Sequence, residues 1–362
     1  MGISTLTSQL LHSTKTCQLA VAGFSLPDQS NFTFFIQDLM LPYGKLENQE
    51  YWVFPFQEKT DSPFVRLQPH YVCNENTLPK EVVEKLKLAN SHSYWDYAHK
   101  KPILSTQERF VNDVEKIKFW IQEGRIEKMM ISSVREEELR ENFSIAQVLD
   151  SLRRAYPSAY ISYISTPYTG TWIGATPEVL LNCIHQHGET VSLAGTQSQL
   201  FEQDWGEKEK KEQDIVSRFI EEEMSHVVQG AIQREGPVTI TVGELRHLQT
   251  RFSFDLCNLP TSEEVFQLAL RLHPTPAVGV YPKHALQMLY QAEQHERLYY
   301  AGFMGPVCKE EARLFVNLRC MQLIQNKAYI YSGAGITADS DPHAEWIETE
   351  NKALSIRMAF GR

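Results

Sequence analysis

Apolar residues along this chain switch repeatedly between helical and alternating spacing, and the switches divide it into elements. Phe110, Val114, Ile117 and Ile121 recur at helical spacing behind Ser105-Thr106-Gln107-Glu108. That pattern predicts a helix opened by a capping box and closed at Gly124. A strand is expected over Lys128–Val134 and a helix over Ser144–Tyr156. Tyr160–Ile164, Trp172–Ala175 and Val179–Ile184 read as strands, and His187-Gly188 turns into another at Val191–Ala194. Val216 and Phe219 belong to a long helix over about Trp205–Gln229. Two β segments (Val238–Val242, Leu248–Leu256) and helices at Glu263–Leu272 and Pro282–Glu293 follow. The chain closes with two strands, a hairpin at Gln325-Asn326-Lys327, a strand and a helix.

The first hundred residues are less informative. Short β-rich segments (Phe32–Ile36, Tyr51–Phe56) alternate with Pro and Gly turns, and a charged helix spans Lys80–Ala89. Strands that mostly return through hairpins predict an α+β fold with large antiparallel or mixed sheets. No internal repeat or low-complexity linker divides the 362 residues, so one elaborated domain over 1–362 is expected. Within it, 1–100 would be a variable part and 101–362 the core.

Composition narrows the function. A net charge of −10 argues against a nucleic-acid or anionic-membrane surface. An anionic substrate would therefore need a local cationic pocket or a bound metal. Cys17, Cys73, Cys183, Cys257, Cys308 and Cys320 are scattered without a CxxC pair, as expected of free buried thiols in a reducing compartment. No apolar run approaches the ~20 residues of a membrane span. The expected location is the cytoplasm.

Candidate chemistry clusters in the last two-thirds, over residues 128–352. Gly333 and Gly335 end a strand-like run, and Ser340-Asp341-Pro342 reads as a helix start with Asp341 as cap and Pro342 at the first position. Glu345 and Glu348 then lie one turn apart, with Lys352 a further turn on. Glu209 and Glu212 form a second pair on the apolar side of the long helix. Two such pairs could hold a hard cation such as Mg²⁺; a solvated face, or pairing of Glu209 and Glu212 with Lys208 or Lys211, is the plainer reading. Glu178 follows a strand and Pro177, where a partly apolar cleft would raise its pKa toward that of a general acid. Lys128 opens a strand of Met129, Met130 and Ile131, where desolvation would make it a usable base. A surface lysine and a loop glutamate remain the alternatives. Leu193-Ala194-Gly195-Thr196 ends a strand in a small-residue turn suited to an anion. Arg319 is the charged residue in the apolar run Leu314–Ile324 and calls for a carboxylate partner. Tyr300 offers a hydroxyl beside a close backbone approach at Gly302, and His247 reads most simply as a core histidine.

Taken together these segments resemble the chorismate-binding enzyme family. The resemblance rests on Gly174-Ala175-Thr176-Pro177-Glu178, Leu193-Ala194-Gly195-Thr196, His273-Pro274-Thr275-Pro276-Ala277-Val278-Gly279, Tyr300-Ala301-Gly302 and the run from Gly333 to Lys352, in the same order over residues 128–352. It implies two stacked, mostly antiparallel sheets flanked by helices around a deep cleft. It implies Mg²⁺ bound directly by Glu212 and Glu348 and through waters by Glu209 and Glu345. Lys352 with Gly195 and Thr196 would grip the ring carboxylate of chorismate; Arg319, Tyr300 and the Gly333 backbone would hold the enolpyruvyl carboxylate; His247 and Thr275 would line the cleft. Lys128 would activate water for attack at C2, and Glu178 would protonate the departing C4 hydroxyl, giving isochorismate for menaquinone or siderophore synthesis. Ammonia-using branches of the family carry a different turn at 193–196 and need an amidotransferase subunit, which is not expected here. A branch that goes on to eliminate pyruvate, and a non-catalytic chorismate-binding homologue, are the alternatives. A monomer or homodimer is expected. Two positions depart from the family pattern: Ser133, with Arg135 two residues later, stands where an arginine is usual, and Val280 replaces a smaller residue.

Overall fold

The computed structural model describes residues 2–42, 46, 49–89, 91–96, 101–198, 204–228, 230–242, 245–256 and 258–360. The first stretch carries α1 (Thr5–His12), β1 (Leu19–Ser25), β2 (Thr33–Asp38), β3 (Gln49–Phe54), β4 (Val65–Leu67), β5 (Tyr71–Asn74) and α2 (Lys80–Leu88). Next come α3 (Gln107–Gln122), β6 (Lys128–Glu138), α4 (Ile145–Ala155), β7 (Tyr160–Thr166), β8 (Gly170–Thr176), β9 (Val179–Ile184) and β10 (His187–Ser198). Then follow α5 (Glu207–Ser225), β11 (Gln233–Val242), β12 (Leu245–Asp255), α6 (Ser262–Leu272), β13 (Val280–Tyr281) and α7 (Leu286–Ala292). The last are β14 (Phe303–Cys308), β15 (Glu311–Val316), β16 (Cys320–Ile324), β17 (Lys327–Ile336) and α8 (Pro342–Arg357).

The architecture is α+β. Nine strands form one sheet in the order β13-β6-β17-β16-β8-β7-β1-β2-β5, and eight form a second in the order β11-β12-β10-β9-β15-β14-β3-β4. Neighbours pair antiparallel, from β6 against β17 (Ser133↔Ser332) to β3 against β14 (Phe54↔Phe303). Strands from residues 1–100 are woven into both sheets. β1 lies between β7 and β2, and β3 lies between β14 and β4.

Burial on both faces explains why the strands of the larger sheet read as continuous apolar runs. Alternate residues enter two different cores. Tyr160 and Ile164 of β7, Trp172 of β8, and Tyr329 and Tyr331 of β17 face the second sheet. Ile161 and Tyr163, Ile173 and Ala175, Ala328 and Ile330 face a layer made by α1, α2, α4 and the end of α8. Between the sheets Tyr160 stacks on Phe315 with ring centroids 4.0 Å apart, and its hydroxyl lies 2.8 Å from that of Tyr51.

Several local expectations change. The helix predicted from Ser105 starts one residue later, with Thr106 at the N-cap and no side-chain cap, so the capping box does not form. The Ser105 hydroxyl instead accepts the Val134 N–H of β6 at 3.0 Å. The predicted 282–293 helix is a 3₁₀ turn (Lys283–Ala285) followed by α7. The described cysteines are free, but Cys308 is exposed; Cys257 lies outside the described residues. At the C-terminal helix, Asp341 accepts the Ala344 N–H at 2.8 Å and Pro342 takes the first turn. No described helix is long and apolar enough to cross a membrane.

Gly302 follows Ala301, which sits in the left-handed region at φ 59°. A Cβ at Gly302 would lie 2.1 Å from the Phe54 carbonyl oxygen of β3. Gly302→Ala must push β3 away from β14, and a lower denaturant midpoint, equivalent to about 1–3 kcal/mol, is expected in urea unfolding.

Candidate functional site

A cavity of about 110 Å³ opens where the ends of the two sheets meet under α5 and α8. The larger sheet contributes Lys128 and Met130 of β6, Tyr331 through Gly333 and Gly335 of β17, and the connectors carrying Glu178 and Arg319. The smaller sheet contributes Leu193, Ala194 and Gly195 of β10 and His247 of β12, while Glu212 comes from α5 and Glu348 and Lys352 from α8. Tyr300, Ala277 and Val278 complete one side.

β17 makes room for this charge. A Cβ at Gly335 would lie 2.7 Å from Glu212 Oε1 and 2.9 Å from Lys128 Cε. The bare backbone therefore admits the Lys128–Glu212 pair, whose charged atoms are 3.9 Å apart with the lysine side chain 3% exposed. At Gly333 a Cβ would meet Met130 Sδ at 2.5 Å and the Tyr300 hydroxyl at 3.1 Å. Lys352 Nζ donates to the Gly333 carbonyl at 3.0 Å and pairs with Glu348 at 2.7 Å.

Glu178 is buried, and desolvation pushes its carboxyl up to about 7 although Lys128, Lys352 and Arg319 pull the other way. It is a carboxylic acid that keeps its proton close to neutral pH. His247 is the opposite case: burial, then the neighbouring Arg319, lowers it to about 3. The imidazole is thus neutral. Because Arg319 Nη2 can only donate, His247 Nε2 accepts it at 2.8 Å and Nδ1 donates to the Gly195 carbonyl at 3.1 Å. Gly195 is the residue of a β-bulge, at φ 69°, so β10 runs on to Ser198 rather than ending in the predicted turn.

Arg319 does not lie in a strand as its apolar surroundings predicted. It occupies the connector between β15 and β16 at φ 45°, an uncommon conformation for a non-glycine residue. Its Nη1 is buried without a hydrogen-bond partner, and so is the Tyr331 hydroxyl on the same wall. Unpaired buried donors are costly unless a ligand completes them. An anionic group entering the cavity would do so.

The four glutamates divide. Glu212 and Glu348 reach the cavity wall, and Glu209 lies behind it, its Cβ 3.0 Å from where a Cβ on Gly195 would be. Glu345 is buried, with Oε1 2.5 Å from Lys208 Nζ and Oε2 without a partner. Burial and then the Glu348 charge raise the Glu345 carboxyl; burial also opposes ionisation of Glu348, but Lys352, Lys208 and Lys128 hold it low. Burial alone would lower the Lys208 ammonium, yet Glu345, then Glu212 and Glu348, raise it. The cluster attracts positive charge and has a carboxylate oxygen to spare, which suits a hard cation. Among the described residues no three acidic, His or Cys side chains converge on one point as they stand. Thr275 remains behind the wall that Ala277 and Val278 supply, its carbonyl accepting the Val278 and Gly279 N–H groups. The Thr196 side chain lies outside the described residues.

Sequence reasoning overlooked Met130, Leu318, Tyr331, Ser332 and the pairing of Lys208 with Glu345. Alternation along β17 was the available signal for Tyr331, which shares a face with Gly333 and Gly335. Ser133 Oγ lies 2.9 Å from Ser332 Oγ and accepts from Arg135 Nη1 at 2.9 Å, so an arginine does reach the first departing position. Val280 is buried in β13 opposite Met129.

Known proteins resemble this chain in sequence and in fold. The profile of the family described as "Chorismate binding enzyme" matches residues 29–361. The isochorismate synthase EntC of Escherichia coli K12 is 28% identical over 227 residues, 59% of this chain and 57% of that protein. The chain thus spans little more than half the length of the curated relatives it matches. The solved structure of the menaquinone-specific isochorismate synthase MenF of Escherichia coli superposes with a TM-score of 0.78 at 18% identity, covering 99% of this chain and 91% of that one. A structure described as the putative 2,3-dihydroxybenzoate-specific isochorismate synthase DhbC of Bacillus anthracis gives 0.73 at 20% identity, over 98% and 99% of the two chains.

The raised Glu178 pKa makes stability depend on pH. Between its ordinary 4.5 and about 7 the native state holds a proton that the unfolded chain has released. Stability from this group is full below the unfolded value and is lost as pH rises through the folded one. Glu178→Gln is therefore expected to gain on the wild type as pH rises, by on the order of 3 kcal/mol between about pH 5 and about pH 8. Chemical denaturation at both pH values measures it.

Proposed function

We propose that this chain, which belongs to the chorismate-binding enzyme family, isomerises chorismate to isochorismate. The observation that carries the reading is that a buried amine, Lys128, and a buried acid poised at about 7, Glu178, line one cavity whose Arg319 Nη1 lacks a partner. Moving a hydroxyl across a conjugated ring needs a base for the entering water and an acid for the leaving group.

In this mechanism Lys128 acts as the free amine, formed when the ammonium paired with Glu212 gives up a proton, and takes a proton from water as its oxygen bonds to C2. The ring double bonds shift, the C4–O bond breaks, and Glu178 gives its proton to the departing hydroxyl. One water enters and one leaves, so nothing is oxidised or reduced. Arg319, whose orientation is fixed by neutral His247, completes its hydrogen bonds with the enolpyruvyl carboxylate, and Tyr300 adds a hydroxyl. Lys352 grips the ring carboxylate with the Gly195-Thr196 backbone beside it.

Glu212 and Glu348 would hold Mg²⁺, with Glu209 and Glu345 acting through waters. When bound, the ion supplies charge neutralisation and orientation at a substrate carboxylate. The spare Glu345 Oε2 and the like charge of Glu348 beside it support this. With water as nucleophile the chain works without an amidotransferase subunit. The product suits menaquinone or siderophore synthesis in the cytoplasm.

Purified protein incubated with chorismate and Mg²⁺ is expected to yield isochorismate, and EDTA to stop it; release of pyruvate would instead indicate continued elimination. Absence of conversion with every divalent metal tried defeats the reading. Lys128→Ala should lose roughly 10²–10⁴-fold in kcat while chorismate still binds. The rate should also fall as pH climbs past about 7, where Glu178 gives up its proton.

A further inference from the structure

α8 turns a mixed face inward: Pro342, Glu345, Trp346, Thr349, Ala353 and Ile356 are its buried residues. A face that includes a carboxylate and a hydroxyl cannot be seated by apolar contact alone, because each polar group must recover a partner. The first three turns, which carry the groups aimed at the cavity, are where this problem is concentrated.

Arg135 meets it. Nη1 donates to Ser133 Oγ at 2.9 Å and to Ser332 Oγ at 3.2 Å, and Nη2 donates to Thr349 Oγ1 at 3.0 Å. The guanidinium lies 4.5 Å from the centroid of Trp346, an indole that also packs against Phe110 of α3 at 5.4 Å. Ser332 is a wall residue beside Gly333, and Thr349 follows Glu348. One planar cation therefore joins the cavity strand to the helical turn that carries the cavity's carboxylate. Glu350, 3.9 Å away and 52% exposed, is too distant and too solvated to be its purpose. A lysine has neither the two separated nitrogens that let the fork span the strand's two serines and the helix's threonine nor the plane to stack.

We infer that Arg135 is a positioning residue that fixes α8 over β17 and so holds Glu348 and Lys352 toward the cavity. The kinetic part of its test rests on the proposed isomerisation; the structural part does not. Arg135→Met, Arg135→Lys and, as a control, Glu350→Gln are compared with the wild type by amide hydrogen exchange and by chorismate turnover. Both Arg135 variants are expected to exchange at least roughly 10-fold faster over residues 342–352, with β7 and β8 unchanged. Their kcat should fall at least as far, with a smaller change in KM. Glu350→Gln should match the wild type in both readouts. For Arg135→Ala, millimolar guanidinium should restore part of the protection and of the rate. Wild-type exchange over 342–352 in both variants overturns the inference, and so does loss of protection spread evenly over all strands. Should the Met variant fail to fold, Arg135→Lys retains charge and bulk and decides alone. If the wild type does not isomerise chorismate, the proposed reaction fails, while exchange over 342–352 still decides the role of Arg135.

Discussion

Burying an ammonium is affordable only with a carboxylate close by, and the pairing of Lys128 with Glu212 imposes that condition on this fold. The two side chains come from a strand and a helix far apart in sequence, and they meet because Gly335 leaves β17 without a Cβ between them. A side chain there would separate the charges and leave both desolvated, which is worse than never burying them. This one clearance sets how closely the α5 carboxylate and the β6 ammonium can approach. Lys352 with Glu348 and Lys208 with Glu345 repeat the arrangement around it.

Around these pairs, burial acts with opposite sign on neighbouring groups. It raises Glu178 and keeps a proton on a carboxyl; it lowers His247 and removes one from an imidazole. The acid is thereby ready to donate, and the histidine becomes a fixed acceptor that orients Arg319. Neither behaviour belongs to the residue type. Both come from placing titratable groups where water cannot compensate them.

Much of this was readable in the sequence where local rules decide. β6, β7, β8 and β17 announced themselves as apolar runs because both sheet faces are covered, and the Asp341-Pro342 cap follows short-range chemistry. The α+β class was legible because the strands mostly return through hairpins, whereas the stacking of two sheets was implied only by the resemblance to the family. What failed depends on distant partners. Ser105 cannot cap a helix while bonding Val134 across to β6. The bulge at Gly195 is set by its pairing with β12, and the left-handed turn at Arg319 by the join of two sheets. Nor does spacing reveal which ammonium will sit on which carboxylate, so Lys208 was assigned to its own helix rather than to Glu345.

The interleaving of early and late strands has a consequence for how the chain is made. β1 finds its partner on one side only when β7 exists, and β3 waits for β14, whose pairing Phe54↔Phe303 spans most of the sequence. During synthesis β1 therefore keeps an unpaired edge until β7 (Tyr160–Thr166) has emerged, and β3 keeps one until β14 (Phe303–Cys308) has followed. High contact order slows that closure further. The segment with least visible chemistry is thus the one that most needs protection from aggregation before the native state is reached.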